Sequence, residues 1–321
     1  MARRPRLGKK LVRSWLPILL LLVLALCAGF GWIVYGITRP TRRGYLVTPL
    51  TFAQISGPGL KATDETWRNR DGSGARGWLL RGAEGAPAVV LLHSYGADRS
   101  WLFNLGVKLN EATNFTILWP DLRGHGLDPP VKWTSFGSRE GDDVLSALDY
   151  LKGLKTPKGQ PLVGDRLGAY GVELGAFAAL KAARQDQRVR VLVLDSVPPS
   201  PDALVHTAVT QNTGIDNRVL QYLAGLAVRV YFLGRYDNAG ACSFAGGLPN
   251  QRVLLLSGVD AASLHAATIS LAKCFPNPTN IESKMDLPIT GINLPSATGE
   301  QGEGYDRRVI EFLDTNLRSA P

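Results

Sequence analysis

The sequence predicts an α/β fold: a mostly parallel central sheet with helices on both faces, preceded by one transmembrane helix. Three observations predict it. From about residue 64 to residue 317, strand-like and helix-like stretches alternate, which calls for a parallel sheet covered on both sides. The run Trp15–Ile37 holds 23 residues and no charge, long enough as a helix to cross the hydrocarbon core. The stretch "RLGAYGVELGAFAAL", residues 166–180, reads as a strand, a sharp turn between two glycines and a helix.

The apolar run comes first in the chain and sets the cellular context. Trp15, Trp32 and Tyr35 lie towards its ends, where amphipathic rings favour the membrane interface. Residues 1–43 contain nine basic residues (Arg3, Arg4, Arg6, Lys9, Lys10, Arg13, Arg39, Arg42 and Arg43) and no acid. The remaining 278 residues carry 27 basic and 27 acidic groups, so the net charge of +9 sits wholly around the apolar segment. That removes the electrostatic argument for nucleic-acid binding and replaces it with a membrane argument. Six basic residues precede the segment and three follow it. The heavier flank predicts a single pass through the plasma (inner) membrane, N-terminus inside and C-terminal domain extracytoplasmic. A cleaved signal peptide is the alternative, for which the run is long. A lipoprotein would need a small residue before Cys27, where Leu26 stands. The expected organisation is a basic tail (1–14), an anchor (15–37), a tether (38–60) with the breakers "TRPTRRG" and "SGPG", and a folded domain (61–321).

The elements follow in order. "ATDETWRNRDGSGARGWLLRG" reads as two strands around the turn "RDGSG". "APAVVLLHS" is a continuous apolar run ending in small polar residues, as in a buried parallel strand. "RSWLFNLGVKLNEA" has helical spacing, and "FTILWPDLRGHG" is a strand with its loop. "REGDDVLSALDYLKGL" is an amphipathic helix with Val144, Leu145, Leu148 and Leu151 on one face. "RLGAYGV" is a strand, "GAFAALKAARQ" a helix and "VRVLVLDSV" a strand. Residues 201–240 are less regular and read as a helical cap insertion. "RVLLLSGVD" is a strand, "ASLHAATISLA" a helix, "LPITGI" the last strand and "GYDRRVIEFLDTNL" the closing helix.

Five of these pieces, in this order, resemble the α/β-hydrolase superfamily across roughly residues 64–317. "VVLLHSYGADRS" looks like the strand and His-Gly-type loop that supplies an oxyanion donor, which implicates His93, Ser94 and Tyr95. "WPDLRGHG" resembles that superfamily's D-x-R-G-H-G loop, and "SFGSREGDDVLSALDYLK" is similar to the helix after it in exported serine hydrolases. "AYGVELGAFAAL" occupies the nucleophile elbow, G-x-S-x-G in the superfamily, and "LSGVD" sits where the acid of the triad follows a strand.

The resemblance implies a serine, a histidine base and an acid. At the elbow Gly171, Val172, Glu173, Leu174 and Gly175 put a carboxylate where the hydroxyl belongs. The loop that should carry the base reads "GINLPSATGEQGEGYDRR" and has no histidine. Asp260 comes one place earlier than the acid commonly does. Glu173 has three readings: held by backbone N–H groups in an inactive elbow, a working base or nucleophile, or a recognition group for a cationic ligand. Glu173 is expected to point into a pocket bounded by Ser94, Tyr95 and Leu174. There the dipole of the following helix favours the charge and desolvation opposes it. His93 and His125 read as loop organisers, and His206 and His265 as surface or packing residues, unless the cap or the helix leans inward.

Removing Ser and His together from a serine protease costs on the order of a million-fold in turnover. The expectation is therefore a membrane-anchored pseudo-hydrolase that binds or scaffolds an unknown small molecule or protein. The alternative is a hydrolase of an ester or amide built on Glu173. No cofactor or metal is expected: there is no P-loop, no G-x-G-x-x-G and no Cys/His spacing of a zinc site. Cys242 and Cys274 are the two cysteines of the exported part. A bond between them would close a loop of roughly thirty residues and stabilise by roughly 3 kcal/mol; two buried free thiols are the other reading.

Overall fold

The computed structural model describes residues 7–40, 44–56 and 61–319, and the side chains of these from residue 15 onward apart from 55 and 56. Most of the basic side chains that predict orientation (Arg3, Arg4, Arg6, Lys9, Lys10, Arg13, Arg42 and Arg43) lie outside the described residues.

The elements in chain order are α1 (Leu7–Thr38), α2 (Pro49–Ser56), β1 (Thr63–Arg68), β2 (Gly74–Leu80), β3 (Ala86–Leu92), α3 (Phe103–Thr113), β4 (Thr116–Pro120), α4 (Glu140–Gly153), β5 (Val163–Val172), α5 (Leu174–Gln185), β6 (Val189–Asp195), α6 (Pro201–Thr213), α7 (Arg218–Tyr231), α8 (Ala241–Ala245), β7 (Arg252–Gly258), α9 (Ser263–Leu271), β8 (Ile281–Leu287) and α10 (Gly299–Ser319). The strands form one eight-stranded sheet in the order β1-β2-β4-β3-β5-β6-β7-β8. β1–β2 and β2–β4 are antiparallel, and every later pairing is parallel.

The chain divides into two compact units, Thr38–Leu204 with Tyr236–Pro321, and Met1–Ile37 with Val205–Arg235. The first holds the sheet. Its central strands are apolar along their whole length because both faces are covered. Val89, Leu91, Tyr170, Val172, Val191, Val193, Leu254 and Leu256 share a core with Phe103 and Leu109 of α3 and with Val309, Leu313 and Leu317 of α10. α4 and α5 pack on the sheet as well. Within the stretch expected as a tether, Pro49–Ser56 is helical, and Tyr45, Val47 and Phe52 pack against the core.

Register positions the site. Leu92 pairs with Gly171, Gly171 with Leu194 and Val172 with Asp195. The C-terminal ends of β3, β5 and β6 therefore align, and the loops leaving them open at one edge, where ligands bind in open α/β sheets.

One strand differs from the expectation. "LPITGI" is not the last strand; β8 is Ile281–Leu287, and of 287–292 only Leu287 belongs to it. β8 is the sheet's edge, with Glu282, Ser283, Lys284 and Asp286 exposed, so it carries no apolar run to mark it. The apolar Ile289 and Ile292 instead belong to the turn that crosses back towards β5.

Cys242 and Cys274 form a disulfide with Cα atoms 5.2 Å apart, tying α8 to the turn after α9.

The second unit contains α1, most of α6, and α7. The stretch Trp15–Thr38, 24 residues, is long and apolar enough to cross a membrane, and among the described residues it is the one helix of that kind. Over most of its length its large apolar side chains are not packed into a core: Ile18, Leu19, Leu22, Leu24 and Leu26 are all exposed, whereas Val34 and Ile37 in its last turns are buried.

Candidate functional site

The turn after β5 has the geometry of a nucleophile elbow. Glu173 adopts φ 50°, ψ −107°, a conformation that costs a non-glycine residue on the order of 1–3 kcal/mol. It persists because the surroundings fix it. The Glu173 N–H donates to the Asp195 carbonyl at 2.9 Å, and the Glu173 carbonyl accepts the Phe177 N–H at 3.0 Å. Both flanking glycines are required. A Cβ at Gly171 would fall 2.4 Å from the Gly175 backbone, and one at Gly175 would fall 2.3 Å from the Leu92 carbonyl oxygen.

The Glu173 carboxylate is buried, at 5% exposure, and does not cap α5. It turns to the loop after β3, where Oε2 accepts the Tyr95 N–H at 3.1 Å. Burial pushes its carboxyl up to about 7, and the single Tyr95 N–H pulls it back only in part. Desolvation therefore outweighs the hydrogen bond. Leu174 opens α5 and is fully buried, so it brings backbone rather than a polar side chain to the site.

Two neutral histidines organise the loops around Tyr95. His93 Nδ1–H donates to the Ser94 carbonyl at 2.8 Å, and its Nε2 accepts the Leu122 N–H at 3.0 Å, which fixes one tautomer and joins the loops after β3 and β4. His125 Nδ1–H donates to the Arg123 carbonyl at 2.8 Å, and its Nε2 is buried without a hydrogen-bond partner among the described residues. Burial lowers both rings; the His93 neighbour adds to this for His125, which falls to about 4. Tyr95 lies across His125 at 5.7 Å between ring centres and stacks on Phe136. In "DLRGHG", Asp121 is held by Tyr45, Arg76 and Arg99, and Arg123 by Asp143, so this loop is clasped into the fold.

Asp260 follows β7. Its Oδ2 accepts the Thr290 N–H at 3.0 Å, the Thr290 hydroxyl at 2.9 Å and the Asn293 side-chain amide at 2.9 Å. Its Oδ1 is buried with no hydrogen-bond partner among the described residues. The loop after β8, expected to carry a histidine in an active triad, thus presents an amide N–H to the acid. An amide donates as an imidazole would and cannot take up a proton. His265 instead bonds Ser257 through Nδ1 at 3.2 Å. Among the described residues no hydrogen bond joins Glu173 to Asp260, or either carboxylate to a histidine.

A third carboxylate was not anticipated. Asp195, at the end of β6, is fully buried and accepts the Gly291 N–H at 2.7 Å and the Ser196 hydroxyl at 2.7 Å, together with the Tyr305 hydroxyl. Tyr305 shares a 2.8 Å hydrogen bond with Tyr170. Burial raises Asp195 to about 6 against those three donors. The signal was present in "VLVLDS", where an acid closes a buried apolar strand. Thr290 and Asn293 left no comparable mark, since polar residues in a loop are ordinary. Among the described residues no group of three or more His, Cys, Asp or Glu is placed to hold a metal ion.

Comparison with known proteins fits this geometry. No family model matches the chain. An uncharacterised 31.7 kDa protein from the traX-finO intergenic region of Escherichia coli is 24% identical over 119 residues, 37% of this chain and 40% of that protein. The matched part thus spans well under half of that relative. Among solved structures, the esterase Pf2001 of Pyrococcus furiosus superposes with a TM-score of 0.64 at 19% identity, covering 88% of this chain and 99% of that one. The α/β hydrolase GrgF of a Penicillium species gives 0.57 at 16% identity over 81% of this chain and 100% of that one. The dienelactone hydrolase of Anabaena variabilis gives 0.54 at 14% identity over 81% and 99%. With the parallel strands aligned at one edge and a strained turn between Gly171 and Gly175, these likenesses show that the chain has the α/β-hydrolase fold.

Proposed function

We propose that this is a membrane-anchored α/β-hydrolase-fold protein without serine-hydrolase activity, acting as a binding or scaffolding member of the fold. One observation carries the reading. The Glu173 carboxylate accepts the Tyr95 N–H, the donor a developing oxyanion would need, and occupies it in the resting protein. Asp260 supports it, since Thr290 and Asn293 engage the carboxylate that should orient a base. The site residues of this reading are Glu173, Asp260, His93, Ser94, Tyr95 and Leu174. The test is a serine-directed fluorophosphonate probe. The wild-type chain stays unlabelled while an active serine esterase in the same reaction labels; stoichiometric labelling abolished by Glu173→Gln would overturn the reading.

A second reading is favoured by the titration of Glu173. A carboxylate near 7 is poised as a general base at neutral pH. On that reading the protein hydrolyses an ester or amide by activating water. Ester turnover that rises with pH through about 7 and disappears in Glu173→Gln would select it.

The proposed organisation is a basic tail, an anchor at 15–37, a linking segment at 38–60 and an extracytoplasmic domain at 61–321 with a cap at 201–240. The disulfide supports that orientation, since such bonds persist in oxidising compartments. Cell protein denatured in acid and treated with a thiol-reactive polymer should carry one adduct, on Cys27, and three after reduction. Three adducts before reduction would place the domain in the cytoplasm. Reduction should also cost about 3–4 kcal/mol of stability for a 32-residue separation, read as a lower melting temperature.

A further inference from the structure

α7 is built inside out. Val219, Tyr222, Leu223, Leu226 and Val230 recur at helical spacing on one stripe about 100° wide, and all are exposed, Val219 at 66%, Tyr222 at 63% and Val230 at 72%. The buried positions of the same helix are the smaller Ala224, Gly225 and Val228. Leu233, just beyond the helix, is exposed as well. A stripe of this size open to water marks an interaction surface.

Its place in the unit says what covers it. Gly36 lies in the last turn of the apolar span, and a Cβ there would come 3.1 Å from the side-chain amide of Asn212, in the last turn of α6. Gln221 of α7 donates to the Thr210 hydroxyl of α6 at 3.0 Å and to Asp216 at 2.9 Å. The first turn of α7 is therefore joined through α6 to the end of the apolar span. That end carries exposed Trp32 and Tyr35, the residues of a membrane interface. From residue 214 to 235 there is one acid, Asp216, against Arg218, Arg229 and Arg235.

We propose that α7 lies in the interface of the bilayer that α1 crosses, with its apolar stripe among the upper acyl chains and Arg218 at the anionic headgroups. An interfacial amphipathic helix has this make-up: large apolar and aromatic residues on one face, basic residues beside it, and modest overall hydrophobicity. α7 is then a second membrane contact beside α1. The proposal rests on α1 being a membrane span.

The test uses the full chain, with its disulfide intact, in vesicles of phosphatidylcholine and phosphatidylglycerol. An environment-sensitive fluorophore is placed on native Cys27, or in a Cys27→Ser background on Val230→Cys or on Glu311→Cys, an exposed position of α10. At Val230 the emission is expected to shift to the blue, to be quenched by lipid spin-labelled high on the acyl chain, and to resist aqueous iodide; at Glu311 iodide quenches freely. If iodide quenches Val230 as it does Glu311 while Cys27 stays protected, the interfacial helix is refuted and the anchor stands. If iodide reaches Cys27 as well, the anchor itself fails. A blue shift at Val230 that spin-labelled lipid leaves unquenched, and that grows with protein density, overturns the proposal in favour of a second copy of the chain on that face.

Discussion

Glu173→Ser and Asn293→His together are expected to yield an esterase, and neither change to do so alone. The structure chooses both positions. Glu173→Ser places a hydroxyl on the strained turn and withdraws the carboxylate that holds the Tyr95 N–H, so one substitution supplies the nucleophile and frees an oxyanion donor. It supplies no base, and a serine hydroxyl without one is a poor nucleophile. Asn293→His keeps an N–H facing Asp260 Oδ2, now from an imidazole whose other nitrogen accepts protons. The same loop runs beside the elbow strand: Gly291 sits against Val172, the residue before Glu173, where an added Cβ would fall 2.5 Å from Val172 Cγ2. A complete triad is worth on the order of a million-fold in turnover and its parts act as a unit. The double variant is therefore expected to exceed either single by at least about a hundred-fold in kcat on an activated ester, with a burst of acylation and fluorophosphonate labelling. Equal, rapid bursts from Glu173→Ser alone would mean that another base serves the turn. His265 would be examined first, because its bond to Ser257 leaves one ring nitrogen uncommitted.

Legibility from sequence followed the length scale of the signal. The sheet was readable because parallel strands buried on both faces are uninterrupted apolar runs, as in "APAVVLL" and "VRVLVLD". The elbow was readable because only glycine fits at 171 and 175, a local requirement that a local motif records. β8 was misplaced by one segment because an exposed edge strand is mostly polar and the more apolar "LPITGI" stood next to it. Asp260 stood out by its place after β7, but its partners did not, because Thr290 and Asn293 meet it from 30 and 33 residues away. The same holds for Asp195, whose donors Gly291 and Tyr305 are 96 and 110 residues distant. Long-range partners of a polar group are set by the fold and leave no spacing to count. The sign of the Glu173 titration was open for the same reason: it depends on how many N–H groups reach the carboxylate, and one does.

Glu173→Gln is expected to stabilise the protein at alkaline pH and to change little in acid. The folded-state carboxyl is raised to about 7 from an ordinary value of 4.5, first by burial, with the Tyr95 N–H opposing. A raised carboxyl favours the folded state most when protonated. Its contribution is fully present below about pH 4.5 and is lost as pH climbs through 7, where folding must carry a buried negative charge. The full loss is about 3.5 kcal/mol, at roughly 1.4 kcal/mol for each pH decade between the two values. Glutamine keeps the shape and a carbonyl oxygen for the Tyr95 N–H and does not ionise. The gain in melting temperature over wild type should therefore be small at pH 5 and reach roughly 7–14 °C at pH 8.5, at about 2–4 °C per kcal/mol for a domain of this size. The difference between the two curves isolates Glu173, because Asp195, pushed up to about 6, and Asp143, pushed up to about 7, titrate in both proteins. Parallel curves would show that the carboxylate finds water or a cation when it ionises, and a cationic ligand added at pH 8.5 would then stabilise wild type and leave Glu173→Gln unchanged.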